Sequence, residues 1–213
     1  MSARIGKPVR GQTSTDQGGQ LRIIAGSWRG RKLSFLDREG LRPTTDRVRE
    51  TLFNWLQMEL PGSHCLDLFA GSGALGFEAA SRGAEKVVMV DSDSQSVKML
   101  CSNVELLSAP QIEVVGSDAI TFLQRCKSHR EPDRNSERAF DIIFIDPPYG
   151  SDVIATCCAL LESEQCLAVH AKIYVECDAG NDLSKAENGL PGNWRCLKHK
   201  TAGQVGYHLF VRD

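Results

Sequence analysis

No apolar stretch in this 213-residue chain is long enough to span a bilayer. The opening residues Met1-Ser2-Ala3-Arg4-Ile5-Gly6-Lys7 lack the apolar core of a secretion signal. Membrane insertion and export are set aside on this ground, and a cytoplasmic address is expected. The eight cysteines form no Cys-x-x-Cys pair and have no histidine at finger spacing, and several sit inside apolar runs. Reduced packing thiols are therefore expected, with no disulfide framework and no zinc. There is no internal repeat. Charge of either sign is scarce in the sum: the net value is only −2, which taken alone argues against a nucleic-acid partner.

What is present changes that reading. Residues 1–50 hold 11 Lys/Arg against 5 Asp/Glu, whereas the rest of the chain holds 14 against 22. A basic N-terminal part on an acidic body suits an electrostatic arm for phosphates, although a solvated charged face explains the same counts. Residues 1–20 are rich in Gly, Gln, Ser and Thr and are expected to be disordered. Leu21–Ala25 and Arg31–Phe35 read as short strands around Gly26-Ser27-Trp28-Arg29-Gly30. Thr45 or Asp46 then caps a helix carrying Val48, Leu52, Phe53, Trp55 and Leu56, which Pro61-Gly62 closes.

From Ser63 onward, apolar strands alternate with helical stretches. The strands are Cys65–Phe69, Lys86–Val90, Ile112–Val115, Phe140–Ile145 and Ala171–Glu176, and the helices lie around 73–82, 94–107, 118–126 and 151–162. Such alternation predicts an α/β fold with a parallel sheet covered on both faces. The polar stretch 127–139 reads as a surface insertion, and Trp194–His199 with Gln204–Val211 as a closing antiparallel hairpin. The expected domains are a tail at 1–20, a basic extension at 21–60 and a larger body at 61–213.

Chemistry concentrates at strand ends. The strand ending Asp67-Leu68-Phe69 runs into Ala70-Gly71-Ser72-Gly73-Ala74-Leu75-Gly76, where glycines let the backbone approach a ligand beside a helix N-terminus. Asp91 lies 20 residues past Gly71, the spacing at which a dinucleotide fold reads its ribose. Asp67, however, would repel a pyrophosphate while suiting a cationic amino group. Asp118 could accept from an adenine amine. Asp67, Asp91 and Asp118 thus end three consecutive strands in the order needed for the amino acid, ribose and adenine of S-adenosylmethionine. Phe69, Ser72, Gly73, Ser92 and Ala119 complete that candidate cofactor set. Asp146-Pro147-Pro148-Tyr149 then follows a buried strand. The prolines stop the strand, since neither offers an N–H and each fixes φ. The stiff loop so formed presents a carboxylate, a prolyl carbonyl and a ring to a flat heterocycle carrying an NH₂.

Asp67–Gly73, Asp91, Asp118 and Asp146–Tyr149 together resemble the ordered motifs of Rossmann-like class I methyltransferases acting on exocyclic amines. Arg22–Leu33, Arg42–Phe53, Ile173-Tyr174-Val175-Glu176 and Gly203–Tyr207 narrow the resemblance to the RsmD family, over roughly residues 21–213. The resemblance implies a mostly parallel seven-stranded sheet with an antiparallel C-terminal hairpin and a small N-terminal hairpin–helix extension. It also implies methylation of the N2 amine of one guanine in bacterial small-subunit (16S) ribosomal RNA, with S-adenosylmethionine as cofactor. The partner is then that RNA or a small-subunit assembly intermediate, with a ribosomal protein completing the surface, and a monomer is the default.

In this reading Asp146 and the Pro147 carbonyl accept the N2 hydrogens, Pro148 stiffens the loop and Tyr149 stacks on the base. Arg22, Arg29, Arg31, Lys32, Arg42, Arg47 and Arg49 supply phosphate contacts. Trp28 stacks on RNA or else covers the junction, and Arg42-Pro43-Thr44 forms a lid. The closest rival is an N6-adenine methyltransferase on DNA or RNA; the rival of another class is a non-catalytic RNA-binding assembly factor that keeps the fold.

Overall fold

The computed structural model describes residues 18–36, 45–126, 139–148, 153–181, 183 and 189–213. The expectations for residues 1–17, the Arg42-Pro43-Thr44 lid, the 127–138 part of the insertion and Tyr149 lie outside them. The strands are β1 (Gly18–Arg22), β2 (Lys32–Leu36), β3 (His64–Asp67), β4 (Lys86–Asp91), β5 (Ile112–Gly116), β6 (Phe140–Ile145), β7 (Leu167–Asp178), β8 (Trp194–Ala202) and β9 (Val205–Arg212). Between them lie α1 (Asp46–Trp55), α2 (Ala74–Ser81), α3 (Ser94–Leu107), α4 (Ala119–Cys126) and α5 (Val153–Ser163).

Seven strands form one sheet in the order β5-β4-β3-β6-β7-β9-β8. β3 through β7 pair in parallel, while β9 pairs antiparallel with both β7 and β8. Period-two alternation sorts each strand's side chains between two cores. Cys65, Met89, Phe144, Tyr174 and Tyr207 face the core beneath α1, α2 and α3. Leu66, Val90, Ile145, Val175 and Phe210 face the core shared with α4 and α5. Burial on both faces is why these strands read as continuous apolar runs. The chain reverses direction across the sheet between β3 and β6. That reversal opens a crevice at their carboxyl ends, the usual ligand position in such sheets.

β1 and β2 form a separate antiparallel hairpin. β1 begins at Gly18, inside the stretch expected to be disordered. Composition missed it because the ordering comes from the partner strand: Gly18 pairs with Leu36, and the Phe35 ring lies over Gly19, where a methyl would come within 2.3 Å of it.

Candidate active site

The glycine turn after β3 brings the first acids together. Gly71 and Gly73 have φ of +50° and +78°, in the left-handed region that glycine occupies without strain. A methyl on Gly73 would collide with Phe77 and Leu100, so this glycine lets the turn pack down. A methyl on Gly71 would meet nothing nearer than 3.9 Å, so here the backbone faces open space. Gly76, one turn into α2, sits where a methyl would come 2.3 Å from the Met89 sulfur. Its amide donates to Asp67 Oδ2 at 3.0 Å.

Asp67 is buried, and its Oδ1 has no hydrogen-bond partner among the described residues. The Phe69 amide acts on this carboxylate electrostatically without completing a hydrogen bond to that oxygen. Burial first, then the charge of Asp146, push Asp67 up to about 7; Gly76 opposes the shift, Asp91 adds to it and Phe69 opposes it more weakly. An orphaned buried acceptor is an unsatisfied demand for a donor, and a cationic one would also restore the ionised form.

Asp91 ties the turn together. Its Oδ2 accepts from the Gly71 amide at 2.7 Å and its Oδ1 from the Asp93 amide at 2.8 Å. Asp118 lies just past β5 and is exposed. Its Oδ1 caps α4 through the amides of Ile120 and Thr121 at 3.0 and 3.1 Å. The capping role thus accompanies any ligand role. Phe69 and Ser72 are half-buried, Ser92 is exposed and Ala119 is buried. Asp146 emerges half-buried from β6, with Pro147 half-buried and Pro148 exposed. Asp67 and Asp146 therefore sit on the two strands that flank the crevice. Next to β6, the Tyr174 hydroxyl donates to buried Glu176 at 2.7 Å. Burial first, then the Glu176 charge, hold that phenol well above its usual value, and Asp146 adds to the effect.

Arg49 requires a correction. It was expected on RNA phosphates, but it is fully buried on α1. Its Nη2 donates to Asp46 at 2.6 Å and to the Arg22 carbonyl at 3.0 Å, and its Nη1 lies 4.0 Å from Glu78. Arg22, Arg29, Arg31, Lys32 and Arg47 are exposed. Trp28 is half-buried against the first core, as a ring covering the junction would be.

Sequence reasoning missed the centre of that junction, Glu78. This buried carboxylate accepts from the amides of Ile24 and Ala25 at 2.8 and 3.0 Å and from Arg82 Nε at 2.6 Å. Ser81 donates to the Ala25 carbonyl at 2.6 Å and accepts from the Trp28 amide at 3.0 Å. Gly26, at φ +81°, passes so close that a methyl would lie 1.8 Å from the Ser81 carbonyl oxygen. The visible signal was a lone acid in the apolar helix Ala-Leu-Gly-Phe-Glu-Ala-Ala-Ser.

The Asp67 environment carries a pH prediction. Its raised value means that the folded chain holds a proton that the unfolded chain releases near pH 4. The stabilisation from neutral Asp67 is present below the unfolded value and is lost as pH rises through about 7. Melting temperatures of wild type and Asp67→Asn should therefore diverge between about pH 4 and pH 7, wild type falling more steeply. Parallel curves would refute the shift.

The family model described as conserved hypothetical protein 95 matches residues 21–211. The Ribosomal RNA small subunit methyltransferase D of Escherichia coli strain K12 is 45% identical over 92% of this chain and 91% of its own length. That of Haemophilus influenzae is 44% identical over 90% and 94%. The solved structure of yhhF from Escherichia coli superposes with a TM-score of 0.78 at 43% identity, covering 92% of this chain and 99% of that one. Matched from its first hairpin to its last strand, the chain belongs to the conserved hypothetical protein 95 family, the RsmD family that its motifs resemble.

Proposed function

We propose that this protein transfers a methyl group from S-adenosylmethionine to the N2 amine of a guanine in bacterial small-subunit (16S) ribosomal RNA. The observation that carries the reading is the pair of carboxylates across the crevice: Asp67, with its orphaned buried oxygen, on β3, and Asp146 at the end of β6. The names of relatives more than 40% identical over nine-tenths of the chain support the substrate class.

The residues present fit the cofactor. Asp67 Oδ1 offers an acceptor to an α-ammonium, and the backbone at Gly71 leaves open space beside it. Each oxygen of Asp91 has a lone pair beyond the one its amide partner uses, and Asp118 keeps Oδ2 outside its capping bonds. When bound, the cofactor supplies a methyl group on a positively charged sulfur, which a neutral amine can attack.

The chain's own residues act on the target. The N2 lone pair of guanine is delocalised into its ring. The Asp146 carboxylate and Pro147 carbonyl, accepting the two N2 hydrogens, would orient the nitrogen and stabilise positive charge as it develops there. The carboxylate of Asp146 is then placed to take the released proton, or to hand it to water. A base handled in this way must leave its stack.

The test is transfer of labelled methyl to unmodified 16S RNA, assembled small subunits and a duplex DNA control, followed by nucleoside analysis. Label in N2-methylguanosine is expected. Label in N6-methyladenosine would keep the chemistry and overturn the substrate, and absence of label would overturn both.

A further inference from the structure

The basic turn of the N-terminal hairpin lies at the wrong pole to guide a strand into the crevice. α2 starts at the carboxyl end of β3 and runs back, so Ser81 at its far end marks the amino edge of the sheet, roughly 12 Å of helix away. The Trp28 amide is bonded to Ser81, and Arg31 reaches the carbonyl of Leu106 at the far end of α3. The positive surface nearest Asp146 must come from elsewhere among the described residues.

β8 supplies one. It is the edge strand of the sheet beside β9, and it carries Arg195, Lys198, His199 and Lys200 with no acid between them. Arg195 is paired with Asp213 at 3.1 Å, whereas neither lysine has a carboxylate within ion-pair distance among the described residues. Lys198 pairs across to Leu209 and Lys200 to Tyr207, both members of the α1-side core, so both lysines project on that face. Lys200 Nζ lies 6.0 Å from the centre of the half-buried Trp55 ring, which stacks on Tyr207 at 5.6 Å.

Tyr207 faces Glu176 across β7, and the Tyr174 hydroxyl that holds Glu176 also feels the charge of Asp146. A chain of packed side chains, Trp55, then buried Tyr207, Glu176 and Tyr174, thus links Lys200 at the sheet edge to the strand beside Asp146. Lysines on an edge strand also discourage pairing with another chain. That role is indifferent to what lies beside them, and it does not account for the aromatic pair packed under Lys200.

We propose that Lys198 and Lys200, the latter over Trp55, form a landing strip for the RNA backbone next to the target guanine, each lysine neutralising one phosphate. This deepens the ribosomal-RNA reading and rests on it. The variant Lys198→Gln/Lys200→Gln tests it, with Lys172→Gln, at the opposite pole of the sheet, as control. Affinity for unmodified 16S RNA is measured against salt, alongside KM and kcat for methyl transfer and affinity for S-adenosylhomocysteine.

Loss of two single-strand phosphate contacts should flatten the log–log salt slope by about 1.4. It should raise KM for RNA about tenfold or more at physiological salt, with kcat and S-adenosylhomocysteine affinity unchanged. The control should match wild type. A slope and KM like those of wild type would overturn the strip, as would an equal change in the control. If the wild-type protein labels no RNA, the parent reading fails on that result alone, while the binding slope still decides whether these lysines meet phosphates.

Discussion

Replacing Asp146 by alanine is expected to lower methyl transfer by about 10³-fold while leaving the cofactor site intact. The carboxylate would be the principal acceptor for the target amine, and removing one preorganised partner of developing charge typically has an effect of that size. Affinity for S-adenosylhomocysteine should hold or improve at neutral pH. Asp146 is the largest charged contributor raising Asp67 to about 7, so its loss lets Asp67 ionise more readily and meet a cationic group. Asp146→Asn keeps one carbonyl acceptor and should fall between wild type and alanine. Single-turnover rates and calorimetric titration separate the two effects. A parallel loss of turnover and cofactor binding would instead give Asp146 a structural role.

Glu78→Ala is expected to destabilise the fold by about 3–5 kcal/mol, because it strands charge in the core. The variant leaves two backbone amides without acceptors. It also deprives fully buried Arg49 of the one buried carboxylate near it among the described residues, where Arg49 Nε and Nη1 already lack hydrogen-bond partners. Arg82, whose guanidinium lies 5.0 Å from the Phe53 ring centre, loses its 2.6 Å partner as well. For a chain of this size that loss lowers the melting midpoint by on the order of 10 °C. The double variant Arg49→Met/Glu78→Leu removes both charges and should recover part of the loss, because an apolar pair of similar volume can replace a buried ion pair. A midpoint within about 2 °C of wild type for Glu78→Ala would show that solvent reaches this carboxylate after all.

Where local pattern decides structure, the sequence was readable. α3 spans Ser94–Leu107 and β6 spans Phe140–Ile145 as expected, and the order of strands and helices beyond Ser63 was legible from alternation alone. Where a distant partner decides, it was not. β7 begins at Leu167, four residues before the expected start, because Leu167 pairs with Phe140. Charge counting recorded the sign of Arg49 but not its face: a buried Glu78 on another helix turned an expected phosphate contact into a core ion. The same counting assigned the RNA surface to the N-terminal fifty residues. The role proposed for the β8 lysines was not legible, because only the folded sheet brings Trp55 beside Lys200. Strand-end acids were visible as a series, yet the capping bonds of Asp118 and the orphaned oxygen of Asp67 are properties of geometry.

The two ends of α2 serve different tasks: Gly73 at its start closes the glycine turn proposed to meet the cofactor, while Glu78 and Ser81 hold the hairpin. The hairpin is consequently not a portable module. Residues 18–62 transplanted onto another methyltransferase sheet would arrive without the carboxylate that receives the Ile24 and Ala25 amides, and with Arg49 seeking a counter-charge. A functional chimera would have to carry α2 across as well, and with α2 comes the glycine turn. Any exchange of the hairpin between sheets would thereby carry the Gly71–Gly76 turn across in the same step.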